Sequence, residues 1–154
     1  MKNLLGLILS LLMFSCDAGE NEIFIIPKNY TGYIVIIYNQ QNTAVPKHED
    51  KKRVYEIPVS GVLKTQFKAK EGWAGFPQFY YEKVSPENQI NFVADRKKLP
   101  ADTVVATGAI SGSANKDLAG KQTVKFALYY VGDKAQIDTA YEAAEKLDIV
   151  KLAD

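Results

Sequence analysis

The sequence predicts a mainly β protein: a single antiparallel β-sandwich of about seven or eight short strands, with one amphipathic α-helix at its C-terminal end. Three observations carry that reading. Short β-branched and aromatic runs recur along the chain, each bounded by Pro, Gly, Asn or Ser. The apolar spacing switches from alternation to a helical repeat only after residue 132. Strands also follow one another without helical segments between them, which argues against βαβ units.

Residues 23–26, Ile-Phe-Ile-Ile, form the first strand, and Pro27 stops it because proline has no N–H for a ladder. Residues 28–32 make a turn. Residues 33–38 are an unbroken apolar run, too apolar for a strand with one wet face, so they should be central and covered on both sides. The strands at 52–58 and 62–68 read as a pair joined through Pro58-Val59-Ser60-Gly61, with the glycine where a tight turn tolerates it. In the second of them Leu63, Thr65 and Phe67 alternate with Lys64, Gln66 and Lys68, giving one inside face. Residues 78–84, 89–94, 103–110 and 122–131 supply four more strands, with Val124, Phe126, Leu128 and Tyr130 as the clearest inward face. The Gly-, Ser- and Ala-rich residues 111–120 read as a loop. Asp133 can cap a helix with Gln136 three residues on, and Ile137, Ala140, Tyr141, Ala144 and Leu147 then fall on one face, predicting a helix over 133–147.

Ahead of this domain, one lysine precedes a short uncharged run ending at Phe14, about half the roughly 20 apolar residues that cross a bilayer. Residues 1–15 therefore read as a secretion signal. Met13-Phe14-Ser15-Cys16 has the apolar, small and cysteine positions at which a lipoprotein signal peptidase cuts, so Cys16 is the predicted lipid attachment. It is the sole cysteine of the chain, and acylation accounts for a lone thiol in a secreted domain. Two acyl chains give stable anchoring where one gives only reversible binding. Residues 16–22 form the lipidated tether, and 23–154 the domain. The expected location is the bacterial cell envelope, outside the cytoplasm, on a membrane through the lipid.

Loss of residues 1–15 leaves 139 residues, one domain's length, and removing Lys2 leaves 18 basic against 18 acidic side chains. A neutral chain whose basic runs are only Lys51-Lys52-Arg53 and Arg96-Lys97-Lys98 is not expected to bind nucleic acid.

Little in the residues points to chemistry. His48, the sole histidine, lies in a charged stretch and reads as solvated. No cysteine nucleophile remains once Cys16 is acylated, and neither Ser60 nor Ser111 lies in a Gly-x-Ser-x-Gly elbow. No phosphate-binding glycine loop or calcium loop occurs, so no metal, cofactor or catalytic residue is expected. Glu49, Asp50, Glu82, Glu87 and Asp95 could make a carboxylate hydrolase only if folding paired them across a cleft. The candidate binding surface is aromatic: Trp73, Phe76 and Tyr80, near Phe79 and Tyr81, could stack a sugar or meet a protein. The same rings could equally plug the edge of the sandwich. Asp102-Thr103-Val104 and Asp138-Thr139-Ala140 resemble bacterial O-glycosylation acceptors, which makes Thr103 and Thr139 candidate modification sites.

Two stretches resemble an uncharacterised family of small secreted bacterial proteins and lipoproteins: Ile26-Pro27-Lys28-Asn29-Tyr30-Thr31-Gly32-Tyr33-Ile34-Val35-Ile36 and Ile57-Pro58-Val59-Ser60-Gly61-Val62-Leu63-Lys64-Thr65. The resemblance implies an extracytoplasmic setting and no catalytic residues. The strand and glycine-turn rhythm of residues 32–67 is also similar to transthyretin-like sandwiches, alongside the immunoglobulin-like alternative. The expected function is a non-enzymatic binding module for an envelope protein or glycan; a structural or assembly accessory is the alternative, with a hydrolase behind both.

Overall fold

The computed structural model describes residues 19–43, 45–72 and 74–154. The predicted signal, Cys16, Asp17 and Trp73 lie outside the described residues. The protein is mainly β, with two sheets face to face and a helical layer on the second. The first sheet has the order β3-β4-β1-β6-β7, built from β1 (Glu22–Ile26), β3 (Lys47–Glu49), β4 (Lys52–Glu56), β6 (Gln78–Tyr81) and β7 (Gln89–Ile90). The second has the order β5-β2-β9-β8, from β2 (Gly32–Ile37), β5 (Val62–Lys64), β8 (Val105–Asn115) and β9 (Thr123–Gly132). Helices α1 (Lys134–Ala144) and α2 (Ile149–Ala153) follow. No helix among the described residues is long and apolar enough to cross a membrane.

The core between the sheets follows from alternation. Phe24 and Ile26 of β1, Tyr55 of β4 and Phe79 of β6 point to Ile34 and Ile36 of β2 and to Ala127, Tyr129 and Val131 of β9. Phe24 stacks on Phe79 with ring centroids 4.6 Å apart, and Tyr129 lies 4.7 Å from Phe24. The intervening residues of β2, Val35 and Ile37, face the other way beneath Ala153 and Leu152, so β2 is the doubly covered strand its composition predicts. Val124, Leu128 and Tyr130 of β9 also face the helices, so the alternate residues Ala127, Tyr129 and Val131 meet the opposite sheet instead. A strand buried on both faces has no single inward face to find.

Both sheets are mixed rather than wholly antiparallel. β1 runs parallel to β4 and β6, and β2 parallel to β5. The reason lies in two corners. Residues 27–31 carry the chain from β1 in the first sheet to β2 in the second, and residues 57–61 carry it likewise from β4 to β5. The pair 52–58 and 62–68 is therefore no hydrogen-bonded hairpin: its strands face each other across the core. Two such arches stacked side by side necessarily place β1 beside β4 and β2 beside β5 in parallel. Each begins Ile-Pro, where proline removes an N–H from the ladder and lets the chain leave its sheet.

Other departures are local. The small residues after 110 continue β8 to Asn115, in a long hairpin with β9, because backbone pairing does not require large side chains. A bulge between Gly108 and Ile110 interrupts it, with Ala109 at φ 74. His48 lies on the short strand β3 paired with β4, not in a loop. The helix expected over 133–147 stops at Ala144, and Asp148 caps a second helix by accepting from Lys151 N–H. At the start of α1 the capping box is present: Asp133 accepts from Gln136 N–H and Gln136 Oε1 accepts from Asp133 N–H.

Candidate functional site

The two arch corners meet at one end of the sandwich, and Tyr30 joins them. Its N–H donates to Pro27 O at 3.1 Å, closing the first corner, and its hydroxyl donates to Tyr33 O. Its own carbonyl accepts from Tyr81 Oη at 3.1 Å. Burial pushes the Tyr30 phenol up to about 12, so it stays a donor across the physiological range. The second corner packs directly beneath this ring. Gly61 sits at φ +74, its N–H closing on Pro58 O at 2.9 Å, and a Cβ there would collide with Tyr30 Oη and Tyr33 O. Gly61 O then accepts from Val35 N–H at 2.8 Å, locking the second corner to β2.

Helix α1 lies alongside and completes a groove of about 540 Å³. The arches contribute Tyr30, Gly32, Tyr33, Val59 and Ser60, and the helix contributes Ala135, Thr139 and Ala143 at four-residue spacing. Small side chains on that stripe leave an open trench, and Val59 stands 83% exposed at its rim. The lining holds hydroxyls and an amide but no carboxylate, imidazole or thiol. Such a surface suits docking of an apolar segment with a few hydrogen bonds.

The opposite end, where the tether enters, is polar. Glu22 is 2% exposed, yet its carboxylate accepts from Tyr55 Oη at 3.2 Å, Tyr129 Oη at 3.3 Å and Lys70 Nζ at 3.0 Å. Burial, with the nearby phenol and carboxylate charges, drives the Tyr55 and Tyr129 phenols far above their ordinary value, so both remain donors to it. Outside this network Glu20 accepts from Arg53 Nε at 2.5 Å and lies 3.2 Å from His48 Nε2. The hydrogen bond from Arg53 holds the Glu20 carboxyl below its usual range. Arg53 also donates to Lys68 O at 2.7 Å and covers the Phe67 ring.

The residues singled out from the sequence scatter. Phe76 is 57% exposed, its ring 5.4 Å from Phe92, whereas Tyr80 is buried with Ile23 and Val54 on the other face of β6 from the core. Trp73 lies outside the described residues, although its neighbours Gly72 and Ala74 border Gly19 at the tether end. Thr103 is exposed in a bend before β8. Thr139 is exposed on α1, lines the groove, and donates its hydroxyl to Ala135 O at 3.1 Å. Glu49 and Glu82 share a shallow cleft with Lys47, which binds Glu56 at 2.6 Å. Among the described residues no group of three His, Cys, Asp or Glu side chains is placed to hold a metal ion.

Residue reasoning did not find the groove, although its arch side is made by the two stretches that carried the family resemblance. The signal was present: each stretch opens on Ile-Pro and reaches a glycine, Gly32 or Gly61, within six residues, as two stacked corners would.

The model of a family of unknown function, DUF6843, matches residues 18–140. No curated protein matches the chain. Among solved structures, the crystal structure of a candidate lipoprotein from Bacillus anthracis is similar in fold, with a TM-score of 0.54 at 19% identity, over 75% of this chain and 72% of that one.

Proposed function

The chain belongs to the DUF6843 family, and since that membership carries no activity, we propose from the fold and its groove that it is a membrane-anchored, non-enzymatic binding module of the bacterial envelope. Its ligand is an apolar segment of an envelope protein, held between α1 and the two arch corners. The observation that carries this is the convergence of both family-like stretches on one open groove lined by Tyr30, Tyr33, Val59 and the Ala135–Thr139–Ala143 stripe. The lipid attachment at Cys16 supplies the address, and the lipoprotein description of the fold neighbour agrees with it. A sugar on Thr139 would block the trench, so modification there would oppose binding.

The test places a photo-crosslinking side chain at Val59 in intact cells. A discrete protein adduct is expected, and Thr139→Trp, which fills the trench from the helix side, should remove it. An adduct unchanged by Thr139→Trp would sink the groove as the site. An adduct to glycan would reassign the occupant to a sugar.

A further inference from the structure

The tether and the β8–β9 hairpin leave the sandwich from the same end. Glu22, the first residue of β1, meets Tyr129 Oη of β9, and Tyr38, just past the end of β2, donates its N–H to Lys125 O at 3.0 Å. Pairing of β2 with β9 ends at Ile37↔Phe126, but pairing of β8 with β9 continues to Asn115↔Thr123. The hairpin therefore runs on for three further residues, about 10 Å at the usual rise of a strand, before it turns.

That turn is built, not loose. Asp117 accepts from Lys121 N–H at 3.0 Å and from Gln122 N–H at 2.9 Å, and Gly120 N–H donates to Asp117 O at 3.1 Å. Lys116 Nζ binds the Asp154 carboxylate at 2.7 Å, tying the tip to the C-terminus. The product is a fixed Leu118 whose side chain is wholly in water, flanked by Lys116 and Lys121. At the same end Gly19 packs against Glu71, Gly72 and Ala74, three peptide steps from Cys16, which is at most about 10 Å of extended chain.

We propose that the hairpin tip is a second membrane contact. It rests on the reading of Cys16 as the acylated anchor. With the anchor that close, the domain stands end-on, Leu118 enters the lipid interface, and Lys121 lies among the headgroup phosphates while Lys116 holds the tip to Asp154. The interface takes the leucine out of water while long basic side chains keep their charge at headgroup level. The short tether already confines the tip near the bilayer, so a contact too weak to bind alone is occupied. The arch corners, with Val59, then face away from the membrane at the opposite end.

The experiment uses the full lipidated protein in vesicles of phosphatidylethanolamine and phosphatidylglycerol. Cys16 is the only native thiol and is blocked by acylation, so Leu118→Cys or Val59→Cys can each carry a single environment-sensitive fluorophore. Headgroup nitroxide lipids should quench the probe at 118 several-fold and leave the probe at 59 unchanged. Equal quenching at the two positions in protein that floats with the vesicles would overturn the hairpin contact while leaving the anchor intact. Protein that does not float at all would overturn the anchor, and the contact with it.

Discussion

At the tether end a carboxylate only 2% exposed is held by two phenols and an ammonium, whereas at the opposite end a glycine at φ +74 lies under a tyrosine ring with no room for a Cβ. The first arrangement is electrostatic and depends on every partner being present. The second is steric and depends on one atom being absent. Both fix the same pair of sheets: Glu22 reaches from β1 to Tyr129 of β9, and Gly61 fastens the second arch to the first through Tyr30 and β2. The polar end suits a surface facing headgroups and a tether, since its charges tolerate a wet, ionic neighbour. The groove beside the steric end is lined by no charged side chain and so suits an apolar ligand.

Removing the carboxylate should be the costliest single change. Glu22→Ala leaves the Tyr55 and Tyr129 hydroxyls buried without an acceptor and Lys70 without its partner, at a cost of about 4 kcal/mol. Chemical denaturation should show the midpoint falling with little change in slope. Glu22→Gln keeps an acceptor for one phenol and should lose about half as much. If Glu22→Ala were as stable as the wild type, the tether end would not be held by this network.

Gly61→Ala asks the same of the other end. The added methyl must displace the Tyr30 ring in a backbone region that L-residues avoid, at about 3 kcal/mol. Unlike the Glu22 changes, it should also weaken the Val59 crosslink, because Tyr30 lines the groove. Tyr30→Phe with Gly61→Ala should recover part of the stability, since the hydroxyl is the nearest obstruction. A crosslink unaffected by Gly61→Ala would separate the corner from the site.

Much of the fold was legible because it rests on local signals. The apolar run of β2 and the Asp133–Gln136 box each read directly as an element, and the alternation at Leu63, Thr65 and Phe67 marks the inward side chains although β5 itself stops at Lys64. Strand direction was not legible. Whether Pro58-Val59-Ser60-Gly61 turns within a sheet or arches between two depends on which strand lies beside each flank, and that partner, β2 for β5 and β1 for β4, is remote in sequence. The helix-side face of β9 reads more strongly than the core-side face for a related reason: Val124, Phe126, Leu128 and Tyr130 are larger as a set than Ala127, Tyr129 and Val131, yet the second set is covered too. For the site, an aromatic cluster is conspicuous in a string of letters, but a trench made by three small helix residues is visible only when something stands opposite them.

The smallest effect separates the outer ion pairs of the tether end from its buried core. The folded-state carboxyl of Glu20 is lowered, chiefly by its hydrogen bond to Arg53, so its contribution is present above the unfolded value of 4.5 and is lost as the pH falls through the depressed folded value. Because its side chain is 42% exposed, solvent screens the pair, and Glu20→Gln should cost well under about 1 kcal/mol at pH 7. Melting curves of the wild type and Glu20→Gln should differ slightly at pH 7 and coincide below the carboxylate range. Raising the salt at pH 7 should narrow the same gap, because an exposed pair is screened where a buried one is not. The Glu22→Ala deficit should persist in that salt, since unsatisfied buried hydroxyls are not relieved by ions in solution. A Glu22→Ala deficit that shrank in parallel with that of Glu20→Gln would mean that the whole tether end is one exposed ionic cluster, and the contrast with the sterically closed end would then be one of solvent access alone.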